Sequence, residues 1–166
     1  MLLNLAMIKD KLPSSCILQA SVKKEHPRNL KQVRFYEKDQ ILSPDILYLA
    51  SAEDLPVTPE VEQISLLCLG YLPAGYVNKD GVEFLCFRSS EAGQSLFQTV
   101  LDIFYYYEAF DNRIKDMIIA GRQMRDFQGI ALEIFETPVT VYGTYEKVLM
   151  MAYDPNRTEN LEYYQK

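Results

Sequence analysis

The chain has 166 residues, 48% of them hydrophobic and 24% charged, with a formal net charge of −6. That is enough apolar material for one sizeable core, or for a small domain with an appendage, and the balance is that of an ordinary soluble globular protein rather than a disordered or fibrous one. No apolar run reaches the roughly 20 residues that a membrane-spanning helix needs.

The first eight residues are apolar, but no positive residue precedes them and they lead straight into Lys9-Asp10-Lys11. They read as a helix over 2–12 and not as a secretory signal. Five brief β-rich runs follow, at 16–22, 32–36, 45–50, 64–70 and 82–88, each a strand by length and composition. Two of them, 46–50 and 64–69, are almost continuously apolar, as in strands covered on both faces. An α/β fold class follows, with a small N-terminal α/β layer domain over 1–90. Ala52-Glu53-Asp54-Leu55-Pro56 reads as a short helical turn, and Pro73, Gly75 and Gly81 bracket a surface loop, so any connecting helices are short.

Charge is uneven along this part. Between residues 23 and 38, Lys23, Lys24, Arg28, Lys31, Arg34 and Lys38 face only Glu25 and Glu37. No recognition helix accompanies this run, so it reads as a solvated loop and strand edge, and nucleic acid is not expected as a ligand of this chain. Cys16, Cys68 and Cys86 are odd in number and set in apolar surroundings. They are expected as buried thiols in a reducing cytoplasm. Without a CxxC pair, and with His26 the single histidine, no metal site and no cofactor is expected.

From Leu96 onward apolar residues recur at alternating spacings of four and three: Leu96, Val100, Ile103, Tyr107, Phe110, Ile114, Met117. On a helix these line one seam, which must be buried against the chain's own core or a second copy. Phe97, Leu101 and Phe104 widen the apolar face in the first half, while Asp111 and Lys115 narrow it in the second. The helix is therefore expected to begin on a domain and end as a projecting stalk, forming a dimerisation region over 91–136. Ser89 or Ser90 is placed to cap its first turn, with Glu91 suiting the positive helix end. In Tyr105-Tyr106-Tyr107 only Tyr107 belongs to the seam. Gly121 ends or interrupts the helix. A second helix over 122–135 carries Met124, Phe127, Ala131 and Ile134 at helical spacing and stops before Thr137-Pro138.

Val139-Thr140-Val141-Tyr142 and Val148-Leu149-Met150-Met151-Ala152 flank a Gly-containing turn and read as a hairpin. A lone hairpin is marginally stable. The stretch 137–153 is accordingly expected to pack on a host or to open a sensor domain left incomplete, with 154–166 a polar linker or tail.

Several of these segments resemble, in order and wording, the N-terminal regulatory region of bacterial transcription regulators of the purine-catabolism (PucR-like) type. They are Val33-Arg34-Phe35-Tyr36 with Leu42-Ser43-Pro44-Asp45-Ile46-Leu47-Tyr48-Leu49, then Leu96-Phe97-Gln98-Thr99-Val100-Leu101-Asp102-Ile103-Phe104 with Tyr107 and Phe110, then Phe135-Glu136-Thr137-Pro138-Val139. The resemblance implies a small α/β domain feeding a long helix, a sensor-like domain beyond it, and a C-terminal helix-turn-helix that this chain does not hold. It brings no catalytic residue.

Chemistry is sparse. His26 sits in Lys24-Glu25-His26-Pro27-Arg28 without a nucleophile nearby in sequence, and the pairs Glu53 with Asp54 and Asp111 with Asp116 read as solvated charge. Neither GxGxxG nor GxxxxGK[ST] occurs. Ligands of open α/β sheets bind outside the carboxyl ends of the strands, which singles out Ser51, Gly70 and Arg88-Ser89-Ser90. An arginine beside a capped helix start suits a carboxylate or phosphate. The expectation is a non-enzymatic, cytoplasmic, homodimeric regulatory domain with a small-molecule effector and no membrane partner. The alternative is a stand-alone small-molecule-binding α/β protein.

Overall fold

The computed structural model describes residues 3–23, 27–59, 61–77, 79–88, 92–135, 138–143 and 148–152. The chain divides into two compact units, Met1–Glu108 and Ala109–Lys166.

In the first unit, helix α1 (Leu5–Lys11) is followed by strands β1 (Ile17–Ser21), β2 (Gln32–Phe35), β3 (Ile46–Ser51) and β4 (Ile64–Leu69), a one-turn helix α2 (Ala74–Val77), β5 (Val82–Phe87) and the start of α3 (Gly93–Ile119). The sheet order is β1-β5-β4-β3-β2, with β2 to β5 parallel and β1 antiparallel on the edge of β5. The α/β class is present. Its crossovers are unusual, because the parallel strands are joined through 36–45, 52–63 and 70–81 with only α2 helical among the described residues. Pro44, Pro56, Pro59 and Pro73, with Gly70 and Gly81 at positive φ, deny these segments a continuous helix. Gly81 is required outright, since a Cβ there would sit 2.1 Å from the Glu62 carbonyl oxygen.

Alternation sorts the strand residues onto two faces. Ile46, Tyr48, Ala50, Ile64, Leu66, Cys68, Val82, Phe84 and Cys86 meet Leu55, Leu72 and Tyr76 from the crossovers in one buried cluster. The opposite face carries Val33, Leu47, Leu49, Leu67, Leu85 and Phe87, all buried. Here α1 lies against β5, Phe97 of α3 stacks on Phe35 with ring centroids 4.4 Å apart, and Lys11 Nζ stands 5.5 Å from the centre of the Tyr106 ring.

Helix α1 starts at Leu5 rather than residue 2. Asn4 caps it, its Oδ1 accepting from the Met7 N–H at 3.0 Å, while Leu3 is drawn into an extended bridge with Leu30. Helix α3 starts at Gly93, with the Ala92 carbonyl accepting from the Leu96 N–H. Ser89 and Ser90, the expected caps, lie outside the described residues. In the single chain Val100, Ile103, Tyr107 and Phe110 of the seam are buried, while Leu96, Ile114 and Met117 are half-buried. The middle of the seam is core of this chain, which leaves only the ends for a second copy. The first part of the expected 91–136 stalk belongs with the sheet.

The second unit holds the rest of α3, a 3-10 turn (Met124–Phe127), α4 (Gln128–Phe135) and a hairpin of β6 (Val139–Tyr142) and β7 (Val148–Ala152). Helix α3 stops where Gly121 turns to φ +65 and the Gly121 and Arg122 N–H groups bond back to Ile118 and Met117. The expected helix over 122–135 is split. Gln123 and Asp126 form a reciprocal capping box around the 3-10 turn before α4 begins. Ala131, Met150 and Ala152 form the core of this unit, with Phe127, Leu132, Val139 and Val141 against them. The Gln128 side-chain amide also donates to the Met151 carbonyl at 2.8 Å. So α4 is the host of the hairpin.

Among the described residues, no helix is long and apolar enough to cross a membrane. His26, the turn residues 144–147 and the expected tail after residue 153 lie outside the described residues.

Candidate functional site

Three places in the fold gather polar or cavity-lining side chains. At the carboxyl end of the parallel strands, Ser51 closes β3 in register with Leu69, which is in register with Phe87. The Ala52 N–H donates to the Leu69 carbonyl at 2.9 Å and the Gly70 N–H to the Phe87 carbonyl at 2.8 Å, so this rim is knitted by its own backbone. Arg88 follows β5 and is exposed. Ser51 and Arg88 thus stand two strands apart, roughly 10 Å by strand spacing. Ser89 and Ser90 are outside the described residues.

A cavity of about 160 Å³ does open beside Phe87, lined by Leu12, Pro13, Cys16, Phe87, Ser95, Leu96 and Thr99. It lies at the strand end that the sequence reading pointed to, but on the β1 edge and between other residues. The deciding fact is non-local. Strand β1 returns antiparallel on β5, bringing the segment after α1 beside the first turns of α3, and no local pattern announces that pairing.

The opposite, amino end of the strands holds a buried polar cluster. Glu83 and Ser65 are 2% and 0% exposed. Arg28 donates from Nη1 to the Ser65 hydroxyl at 3.1 Å and from Nη2 to the Gly81 carbonyl at 2.7 Å, and its Nε lies 3.9 Å from Glu83 Oε2. The Lys23 N–H donates to Glu83 Oε1 at 2.9 Å. Burial pulls the Arg28 guanidinium below its ordinary pKa, and the Glu83 carboxylate opposes that pull. These partners hold one another, so the cluster fastens the incoming chain to the sheet and leaves little for chemistry. Elsewhere in the basic run Lys23 pairs with Asp80 at 2.5 Å and Lys31 with Asp45 at 2.7 Å, both at the surface, and Arg34 and Lys38 are exposed.

In the second unit an open cleft of about 620 Å³ lies between the end of α3 and α4, edged by Asp116, Asp126 and Glu133 with Arg113. Arg113 Nη1 donates to both Glu133 oxygens at 2.9 and 2.8 Å, tying the two helices together. Asp126 is engaged with the Gln123 N–H at 3.0 Å.

All three cysteines are thiols. Cys68 and Cys86 are register partners on β4 and β5 and fully buried. The hydrogen-bonded contact with Cys86, together with burial, pushes the Cys68 thiol well up, so it stays protonated. Among the described residues no group of three or more His, Cys, Asp and Glu side chains is placed to hold a metal ion.

Comparison with known protein families, with curated proteins and with solved structures finds no match to this chain.

Proposed function

We propose that this chain is the non-catalytic regulatory and dimerisation region of a cytoplasmic bacterial transcription regulator of the PucR-like kind, with DNA binding carried by another domain. The observation that carries the reading is α3. It is one helix of 27 residues whose first part belongs to the sheet unit and whose last part belongs to the hairpin unit. A change in how the sheet holds α3 is therefore handed on along one continuous hydrogen-bond ladder. The segments that resemble the family support it: Val33 to Phe35 form most of β2, Ile46 to Leu49 lie in β3, Leu96 to Phe104 lie in α3, and Phe135 and Val139 close α4 and open β6. Three thiols in one chain support a reducing compartment.

Since Val100, Ile103, Tyr107 and Phe110 are already buried, association would rest on Leu96, Ile114 and Met117 together with Ile118 and Ile119, which are 63% and 83% exposed. Sedimentation equilibrium of the intact chain should show a dimer that Ile119→Asp weakens. A concentration-independent monomer would refute dimerisation. In the full-length protein, deletion of 1–108 should abolish the response to effector while operator binding survives in a mobility-shift assay. An unchanged response, or the lack of any helix-turn-helix in that protein, would refute the regulatory reading. A second reading, a stand-alone small-molecule-binding α/β protein, is favoured by the cavity beside Phe87.

A further inference from the structure

We propose that the cavity between the end of α1, Cys16 and the first turns of α3 is a binding site for a small apolar molecule bearing one hydroxyl group, of the size of benzyl alcohol. The proposal stands on the cavity itself and is independent of the regulatory reading. The side chains of its floor are apolar: Phe87 is 1% exposed and Leu12 is 7% exposed, with Leu96 and the half-buried Cys16 as walls. Pro13, Ser95 and Thr99 are exposed and form the mouth. The volume of about 160 Å³ is close to that of apolar protein cavities known to take up benzene, about 150 Å³.

Water is a poor occupant of such a space. A buried water needs two to four polar partners, and the side chains of Leu12, Phe87 and Leu96 offer it none, so an apolar occupant displaces weakly held solvent there. The two hydroxyl side chains of the lining, Ser95 and Thr99, are at the mouth. There the Thr99 hydroxyl donates to the Ser95 carbonyl at 2.9 Å, which leaves the lone pairs of its oxygen to accept from an entering hydroxyl. An apolar body pointing inward and one hydroxyl at the rim is the shape that these walls select. A carboxylate or a phosphate is excluded from the floor by the cost of burying charge without a partner.

Cys16 supplies the test, because Cys68 and Cys86 are fully buried and Cys16 is the half-buried thiol of the three. Labelling of the native, intact chain by N-ethylmaleimide therefore reports the occupancy of this wall. At about 0.5 kcal/mol per heavy atom, a ligand of eight or so heavy atoms binds with a Kd of about 1 mM. At about 3 mM, where both dissolve, benzyl alcohol and toluene should each slow Cys16 labelling about threefold or more, and glycerol at the same concentration should not. Thr99→Phe plugs the mouth from an exposed position. With its fold checked by circular dichroism, it should lose the protection, and Ser95→Trp serves the same purpose if that variant fails to fold. Thr99→Val should spare protection by toluene and weaken that by benzyl alcohol. Absence of protection, equal protection by glycerol, or protection that survives the plugged mouth would overturn the site. An equal effect of Thr99→Val on both probes would overturn the assigned role of the hydroxyl.

Discussion

Replacing Arg28 by Met should be the most damaging single change to an ion pair of this fold. The guanidinium Nε lies 3.9 Å from Glu83 Oε2, and the Glu83 side chain is 2% exposed. At an effective dielectric constant of about 20, charges that far apart attract by about 4 kcal/mol. The hydrogen bonds from Arg28 to Ser65 and to the Gly81 carbonyl each add about 1 kcal/mol net. Relaxation and water entry return part of this, and removal of one partner of a buried pair typically costs about 3–5 kcal/mol because the other charge is left stranded. Arg28→Met should therefore lose about 4 kcal/mol in urea denaturation followed by far-UV circular dichroism. The double variant Arg28→Met with Glu83→Leu should recover most of that loss, since an apolar pair of similar volume has no charge to strand. A loss below about 1 kcal/mol in the single variant, or a double variant as weak as the sum of the singles, would refute the idea that the cluster is an interlocked buried ion pair.

Two glycines separate steric clash from backbone strain. Gly81 and Gly121 both have positive φ, but a Cβ at Gly81 meets the Glu62 carbonyl oxygen at 2.1 Å whereas one at Gly121 meets nothing within 4 Å. Gly121→Ala should cost about 1 kcal/mol and Gly81→Ala about 3 kcal/mol or more in the same assay, and equal costs would show that strand β5 can shift to admit the methyl group. Acid should destabilise the chain. Lys31 and then Ser43 hold the Asp45 carboxyl below its ordinary range, Lys23 does so for Asp80, and Lys115 for Asp111. A carboxyl with a depressed folded pKa contributes stability that is complete above its unfolded value, near 4, and is lost as pH falls through the folded value. Thermal midpoints should drop below about pH 4, less steeply in Asp45→Asn and less steeply in 1 M salt. A midpoint that rises on acidification would contradict the linkage.

Much of the sheet unit is legible in the sequence because its signals are local. The apolar runs containing Ile46 to Ala50 and Ile64 to Leu69 can be satisfied only by strands covered on both faces, and both are buried along almost their whole length. What is not legible is whatever depends on a partner far along the chain. The cavity exists because β1 turns back on β5, and the basic run becomes a clamp because Glu83, 55 residues beyond Arg28, is buried opposite it. Neither side of those contacts carries a local mark, so Arg28 read as one more solvated cation and Cys16 as an ordinary buried thiol.

The seam on α3 shows why a complete apolar spacing does not name its partner. Leu96, Val100, Ile103, Tyr107, Phe110, Ile114 and Met117 satisfy the spacing of a two-helix contact, yet Val100 and Tyr107 are 0% and 6% exposed in a single chain. A sheet face is broad and flat, so a helix resting on it buries a wider arc than one seated in the groove of another helix. The residues beside the seam record that difference. Phe97, one position from Leu96, stacks on Phe35 of β2, which a narrow helix pair would leave in solvent. Past Tyr107 the flanks become Asp111 and Lys115, paired with each other at 2.6 Å, and apolar side chains at Ile118 and Ile119 return to solvent. The width of the apolar arc, more than the regularity of the seam, distinguishes the part of α3 that belongs to the sheet from the part left to meet something else.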